Sequence, residues 1–261
     1  MQHLTLGSAL VYSALRCVAM STTGESRPVG ETLPATAVVM PVYNEATVVR
    51  EVIAGLVGLG FTVIAVDDGS SDESAGEIDA GGAIRVSHPI NLGQGGALQT
   101  GFEAALRFTD AKYVATFDAD GQHQAADLLG MIAKAEEGGY DVVLGSRFLD
   151  GKTEMSRLRK FILKTATKVF NRGSAHKLTD AHNGLRLVTR DVAARINLAF
   201  HGMAHASELE QVLTQPSYRV TEYPVHILYT EYSRSKGQPL LNSVNILGDI
   251  LAHRVSTWSR P

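Results

Sequence analysis

The chain has 261 residues, 44% of them hydrophobic and 20% charged, with a formal net charge of −3. That length fits one large α/β domain, or one domain with a small appendage. The balance argues against a nucleic-acid partner, which would show as a basic excess. The single cysteine, Cys17, excludes an internal disulfide and fits a reducing compartment. In its apolar run it reads as a buried thiol rather than a nucleophile.

Residues 4–20 are apolar in parts but interrupted by Ser8, Tyr12, Ser13 and Arg16. This is too short and broken for a membrane span, and it lacks the positive start of a signal peptide. It reads as an amphipathic or disordered extension, with a membrane-surface helix as the minority reading. No later segment reaches the ~20 apolar residues of a spanning helix, so a soluble or peripheral protein is expected. Residues 21–34, rich in Ser, Thr, Gly and Pro, read as a linker.

From residue 35 apolar runs alternate with helical spacing. Strands are expected at 37–40, 62–66, 83–87, 113–117 and 141–144. Helices are expected at 46–59, 70–78 (capped by Ser70 or Ser71), 95–108 and 125–137. Such alternation indicates a mostly parallel sheet with helices on both faces. The second half is less regular: helices at 158–170, 191–198, 204–213 and 242–253, and strands at 184–189 and 219–224.

In a parallel sheet of this kind ligands bind beyond the carboxyl ends of the strands. The polar clusters fall there: Tyr43, Asn44 and Glu45; Asp67 and Asp68; Asn91; Asp118, Ala119 and Asp120. Two carboxylates one residue apart, just past a buried strand, suit a cation between them, and oxygen ligands suit Mg²⁺ or Mn²⁺. Gln122 and His123 lie close enough in sequence to add a ligand. An isolated Asp-x-Asp is more often an acidic turn; the position after the strand at 113–117 favours a metal site. For Asp67 and Asp68, ligand binding and a turn with a helix cap weigh equally.

Residues 91–96, from Asn91 to the glycine pair Gly95 and Gly96, resemble a phosphate loop at a helix start, without the Rossmann or P-loop spacing. Arg147 at a strand end suits phosphate recognition. Arg157, Arg159, Lys160 and Lys164 form a basic helix, where a solvated face is the expected role of the lysines. Asp180, Asn183 and Arg186 belong to a polar loop. His176, His182, His201 and His205 have no metal-ligand spacing; His182 and His205 are candidate substrate contacts. Glu208 sits on a short helix, where a solvated acid is the ordinary reading.

Together Val-Val-Met-Pro-Val-Tyr-Asn-Glu (38–45), Val-Asp-Asp-Gly-Ser-Ser-Asp (66–72), Asn-Leu-Gly-Gln-Gly-Gly-Ala (91–97), Asp-Ala-Asp-Gly-Gln-His (118–123) and Gly-Ser-Arg-Phe (145–148) resemble family 2 glycosyltransferases. The likeness spans about residues 36–230, and the dolichyl- and polyprenyl-phosphate sugar synthases are the nearest branch. The resemblance implies a GT-A fold: a nucleotide-binding half at 35–147, a smaller acceptor half at 148–230, and a flexible segment and helix at 231–261. It implies Pro41, Tyr43, Glu45 and Asp68 at the nucleotide, with Asn44, Asp67, Asn91, Gly95 and Ala119 beside it. Asp118, Asp120 and Gln122 would hold the metal and Arg147 the acceptor phosphate. Arg159, Asp180, Asn183, Arg186, Arg234 and Lys236 would contact the acceptor or diphosphate. Glu208 lies where many members keep the base that deprotonates the acceptor, but the usual Glu-Asp pair is replaced by Ser207-Glu208-Leu209.

The expected activity is inverting, metal-dependent transfer of a sugar from a nucleoside-diphosphate donor to a polyprenyl phosphate or glycan acceptor. Its setting would be cell-envelope glycan synthesis at the cytoplasmic face of the membrane. A nucleotidyltransferase and a non-catalytic nucleotide-sugar-binding module are the alternatives.

Overall fold

The computed structural model describes residues 33–150, 157–171, 176–180, 183–200 and 205–228. The first half alternates as β1 (Thr36–Val42), α1 (Val49–Gly58), β2 (Thr62–Asp67), α2 (Ser74–Gly81), β3 (Ile84–Ser87), α3 (Gln94–Phe108) and β4 (Tyr113–Thr116). Then come α4 (Ala125–Gly138), β5 (Val142–Ser146), α5 (Arg157–Phe170), β6 (Arg186–Thr189), α6 (Arg190–Ala193), α7 (His205–Leu213) and β7 (Val220–Pro224). One sheet results, in the order β3-β2-β1-β4-β6-β5-β7.

Alternate residues of the central strands feed two cores. Val38, Met40 and Val42 of β1 join Val63, Ala65 and Ala115 under α1 and α4, with Ile53, Leu128 and Ile132. Ala37 and Val39 join Ile64 and Val114 on the opposite face, under α3 and α7, with Leu98, Phe102 and Leu209. Burial on both faces is why these strands read as unbroken apolar runs.

Two features of the sheet place the site. Chain order reverses between β1 and β4, since β2 and β3 lie to one side and β4 to the other; a crevice opens at such a point. β1 pairs with β4 only to Val39↔Thr116 but stays paired with β2 to Val42↔Asp67. Pro41, with no N–H to donate, falls where β1 has already parted from β4. The second feature is β6, antiparallel to both β4 and β5. Thr116 and Leu144 both pair with Arg186, so the residues before β6 emerge at the edge where β4 and β5 end.

Several expected elements differ in detail. α2 starts at Ser74, because the Ser71 N–H and the Ser70 hydroxyl are drawn to Asn44, and Asp72 holds the Ser74 N–H at 3.0 Å. The helix expected at 191–198 is only the four residues of α6. The helix expected at 242–253 lies outside the described residues. Among the described residues no helix is long and apolar enough to cross a membrane.

Candidate active site

The loops after β1 and β2 are clasped together at the crevice. Asn44, at φ 55°, donates its N–H to Ser70 Oγ at 3.0 Å, and its Oδ1 accepts the Ser71 N–H at 2.8 Å. Asparagine tolerates that left-handed backbone better than most residues. The Glu45 N–H donates to Ser74 Oγ at 2.8 Å, and Asp67 Oδ1 accepts the Ser70 N–H at 3.0 Å. Tyr43 is half exposed beside them. The Asp68 carboxylate is buried and accepts from the Leu92 and Gly93 N–H groups, at 2.9 and 2.7 Å. Asn91 is exposed. Gly95 has no room for a side chain: a Cβ would strike the Phe200 carbonyl oxygen and lie 2.7 Å from His205 Cβ.

Beyond β4 stand Asp118, the buried Ala119 and Asp120. Asp118 Oδ2 lies 3.0 Å from His123 Nε2, and Gln94 Nε2 donates to Oδ1 at 3.3 Å. His123 is buried, with its ring edge against Phe117 at 5.4 Å. Its Nδ1 has no partner among the described residues. Gly184 packs on the other side of Asp118, where a Cβ would lie 2.7 Å from Asp118 Cγ. Asp120 Oδ1 accepts the Gln122 N–H at 3.0 Å.

The two carboxyls are set apart electrostatically. Burial alone would raise Asp118, but the hydrogen bond from His123 and the nearby His123, Arg186 and His205 hold it below the usual carboxylate value. Asp120 is pushed up, first by burial and then by the Asp118 charge. A site that crowds two acids is short of positive charge. Among the described residues no three His, Cys, Asp or Glu side chains gather as a metal cage. The pair therefore fits a hard cation whose coordination is completed by phosphate and water oxygens, as Mg²⁺ sites commonly are.

The reversed strand brings a second cluster to this edge. Asp180, fully buried, grips Arg147 through Nε at 2.6 Å and Nη2 at 2.7 Å, and also takes the Arg147 N–H at 3.0 Å. Glu222 of β7 holds the turn carrying Asp180 by accepting the Thr179 and Asp180 N–H groups. Asn183 Oδ1 accepts the Leu185 N–H at 2.9 Å. Arg186 is buried with Nη2 3.9 Å from Glu210 Oε1, and its Nε finds no acceptor among the described residues. Burial pulls the Arg186 guanidinium below its ordinary value, against the opposing charges of Glu210, Asp118 and Asp180.

The family model described as Glycosyl transferase family 2 matches residues 37–196, which include both aspartates and the clasped loops. The chain belongs to glycosyltransferase family 2. It is 31% identical over 227 residues to the uncharacterized protein MJ1222 of Methanocaldococcus jannaschii, covering 84% of this chain and 91% of that one. It is 25% identical over 241 residues to UDP-N-acetylglucosamine–dolichyl-phosphate N-acetylglucosaminyltransferase of Methanococcus voltae, covering 82% and 93%. In fold it is similar to glucosyl-3-phosphoglycerate synthase of Mycobacterium tuberculosis, solved with Mn²⁺, UDP and glucosyl-3-phosphoglycerate. There the TM-score is 0.59 at 18% identity, over 87% of this chain and 85% of that chain. The protein is thus a glycosyltransferase on a mostly parallel GT-A sheet.

In this glycosyltransferase the candidate base Glu208 is tied to backbone amides. The Glu208 carboxylate accepts the Ala199 N–H at 2.9 Å and the Phe200 N–H at 3.0 Å. The acid that α7 buries is Glu210. The side chain of Arg159, and His182, His201, Arg234 and Lys236 altogether, lie outside the described residues. His88 and Glu222 are not among the residues expected from sequence, and Gln94 is expected only as part of the 91–96 loop. Of His88 and Glu222, only Glu222 carries a signal, an acid inside an otherwise uncharged strand.

The chain leaving β7 lies against the loop after β4. Gln124 Nε2 donates to His226 O at 3.0 Å, and the Leu228 N–H donates to Gln122 O at 2.9 Å. His226 sits between Asp127 (Nδ1 to Oδ1 3.2 Å) and Asp150 (Nε2 to Oδ2 2.8 Å). Its pKa is raised, chiefly by the hydrogen bond to Asp127 and then by the charges of both acids against a smaller opposing effect of burial. Since folding raises this pKa, the stabilisation is complete below the unfolded value of about 6.5 and is lost as pH climbs through the folded one. The Tm gap between wild type and His226→Gln should be widest below about pH 6.5 and narrow above it. A constant gap across that range would show that the His226 charge contributes nothing.

Proposed function

We propose that the chain transfers a glycosyl unit from a nucleoside-diphosphate sugar to a polyprenyl phosphate, with inversion, in cell-envelope glycan synthesis. The observation that carries this reading is the crowded Asp118–Asp120 pair at the β1–β4 crevice, with Arg186 acting on Asp118 and the Arg147–Asp180 pair at the end of β5. Residues 35–147 would bind the donor and 148–230 the acceptor. Pro41, Tyr43, Asn44, Glu45 and Asp67 line the base and ribose end, while Asn91, Gly95 and Ala119 flank the diphosphate.

Asp118 and Asp120, with Gln122 beside them, would hold Mg²⁺ or Mn²⁺, which when bound supplies a Lewis acid for the departing diphosphate. The bond between the anomeric carbon and the donor's β-phosphate oxygen breaks, and its electron pair leaves with the nucleoside diphosphate. An acceptor phosphate oxygen forms the new bond on the opposite face, which inverts the centre. Arg147, kept oriented by Asp180, presents its guanidinium to that phosphate, Arg186 adds a second cation and Asn183 a neutral amide; Arg234, Lys236 and the side chain of Arg159 are proposed to contribute from beyond the described residues. The Methanococcus voltae relative is named for a dolichyl-phosphate acceptor, which supports the phosphate reading and a peripheral position at the inner membrane face. Retention of both aspartates in a glycosyltransferase family weighs against a nucleotidyltransferase or an inert nucleotide-sugar module.

A phosphate acceptor is already ionised near neutral pH and needs no base. Glu208→Gln keeps an oxygen for the Ala199 and Phe200 amides and removes the basicity, so activity should fall less than about threefold. A loss of about a hundredfold or more would instead assign Glu208 as the base for a hydroxyl acceptor. The direct test compares undecaprenyl phosphate with undecaprenol under one donor panel: transfer to the phosphate alone is expected, and transfer to the alcohol alone would overturn the reading.

A further inference from the structure

Glu222 stands on β7, the edge strand, in register with Leu144 of β5. Its carboxylate gathers three donors from a single turn. These are the Thr179 N–H at 2.9 Å, the Thr179 hydroxyl at 3.0 Å and the Asp180 N–H at 3.2 Å.

Two routes lead from this carboxylate to Arg147. On the first, the Asp180 side chain binds Arg147 through Nε, Nη2 and the backbone N–H, while the Asp180 N–H is held by Glu222. The second route runs through hydroxyls. Ser146 Oγ and Thr179 Oγ1 lie 2.6 Å apart. A hydroxyl has one hydrogen to give, and that of Thr179 goes to Glu222, so Ser146 is the donor to Thr179. Ser146 Oγ in turn accepts the Phe148 N–H at 3.2 Å. Every donor on this route points toward Glu222, an arrangement in which each bond polarises the next. Arg147 lies between Ser146 and Phe148, so the two routes close a circuit around it.

The circuit also seats a second cation. Arg147 Cζ lies 5.9 Å and Lys164 Nζ 5.7 Å from the centroid of the Phe148 ring, within cation–π range. A guanidinium is a planar fork that grips a phosphate well in few orientations. Asp180 takes its Nε–Nη2 edge and thereby sets its plane. We propose that Glu222 is a positioning residue for the acceptor: through the turn at 179–180 it fixes the Arg147 guanidinium where an acceptor phosphate is met. Holding the fork in place before the ligand arrives acts on acceptor affinity and leaves the nucleotide end untouched. The inference rests on the acceptor reading given above.

Calorimetric titration of the whole chain with farnesyl phosphate, a short soluble polyprenyl phosphate, and with farnesol tests it. Wild type must bind the phosphate in preference to the alcohol; if it does not, the acceptor reading fails before any variant is made. In Glu222→Ala, affinity for farnesyl phosphate should drop about tenfold or more, while affinity for UDP or GDP with Mn²⁺ changes less than about twofold. Burial raises the Glu222 carboxyl above its ordinary value, against the lowering effect of its bonds from Thr179 and Asp180, so a neutral amide suits the place. Glu222→Gln keeps an acceptor oxygen for the turn and should restore affinity to within about threefold of wild type. Thr179→Val breaks the hydroxyl route alone and should lose about threefold; it decides the matter if Glu222→Ala does not fold. In the Arg147→Met, Asp180→Leu background, adding Glu222→Ala should change the remaining affinity less than about twofold, because the two sites act as one unit. A further tenfold loss in that background, or equal weakening of phosphate and nucleotide, would overturn the proposal. Unchanged farnesyl phosphate affinity in Glu222→Ala or Thr179→Val, with only a lowered Tm, would reduce the circuit to a structural tie.

Discussion

Asp120→Ala should lose about a hundredfold to a thousandfold in turnover, the scale of removing one electrostatic stabiliser of a transition state, and should melt no lower than wild type in metal-free buffer. The two outcomes share one cause. Asp120 is held where burial and the Asp118 charge oppose its ionisation, so at neutral pH its charge works against the fold. Removing it relieves that opposition and also removes a proposed cation ligand. Mn²⁺ should raise the wild-type Tm through binding to the folded state and leave the Asp120→Ala Tm unmoved. Asp118→Ala should lose comparable activity but also some stability, since His123 Nε2 loses its carboxylate partner and becomes a buried polar group in need of another. Thermal denaturation with and without Mn²⁺, set beside turnover, checks both variants; full activity in either would remove these acids from the mechanism.

The largest stability effect is expected at Asp180. This fully buried carboxylate makes two short bonds to the Arg147 guanidinium and a third to its N–H. Breaking a buried pair from one side typically costs about 3–5 kcal/mol, because the remaining charge stays desolvated. For Asp180→Ala this corresponds to a Tm drop on the order of 10 °C in a domain of this size. Arg147→Met combined with Asp180→Leu removes both charges and should be more stable than Asp180→Ala alone. It should still fail with a phosphate acceptor, because the guanidinium is gone. If the double variant transferred normally, the Arg147–Asp180 pair would be a structural tie only.

The parts of this molecule legible in sequence are those set by local pattern. β1, β2 and β4 are continuous apolar runs because helices cover both faces, and each ends in the polar residues that the sheet edge collects. The Asp118–Asp120 spacing could be read for the same reason. What could not be read depends on partners distant in the chain. Ser70 and Ser71 look like helix caps until Asn44, about 26 residues away, claims them. The direction of β6 leaves no mark on so short a strand, three of whose four residues are buried, although it decides that Asp180, Asn183 and Arg186 reach the strand ends of β4 and β5. His88 sits before a proline in an ordinary-looking loop, and only the fold brings it to Asp68. On α7 both Glu208 and Glu210 read as acids of a short helix; tertiary contacts alone tie Glu208 to the 199–200 backbone and bury Glu210 beside Arg186.

The central claim is a glycosyl transfer driven by departure of a nucleoside diphosphate from the Asp118–Asp120 site. It is tested most directly by identifying the phosphorus-containing co-product when the protein is incubated with a nucleotide-sugar panel, undecaprenyl phosphate and Mn²⁺. The account predicts nucleoside diphosphate in a one-to-one ratio with glycosylated lipid, abolished by chelator. Release of pyrophosphate, or undiminished turnover in excess chelator, would contradict it.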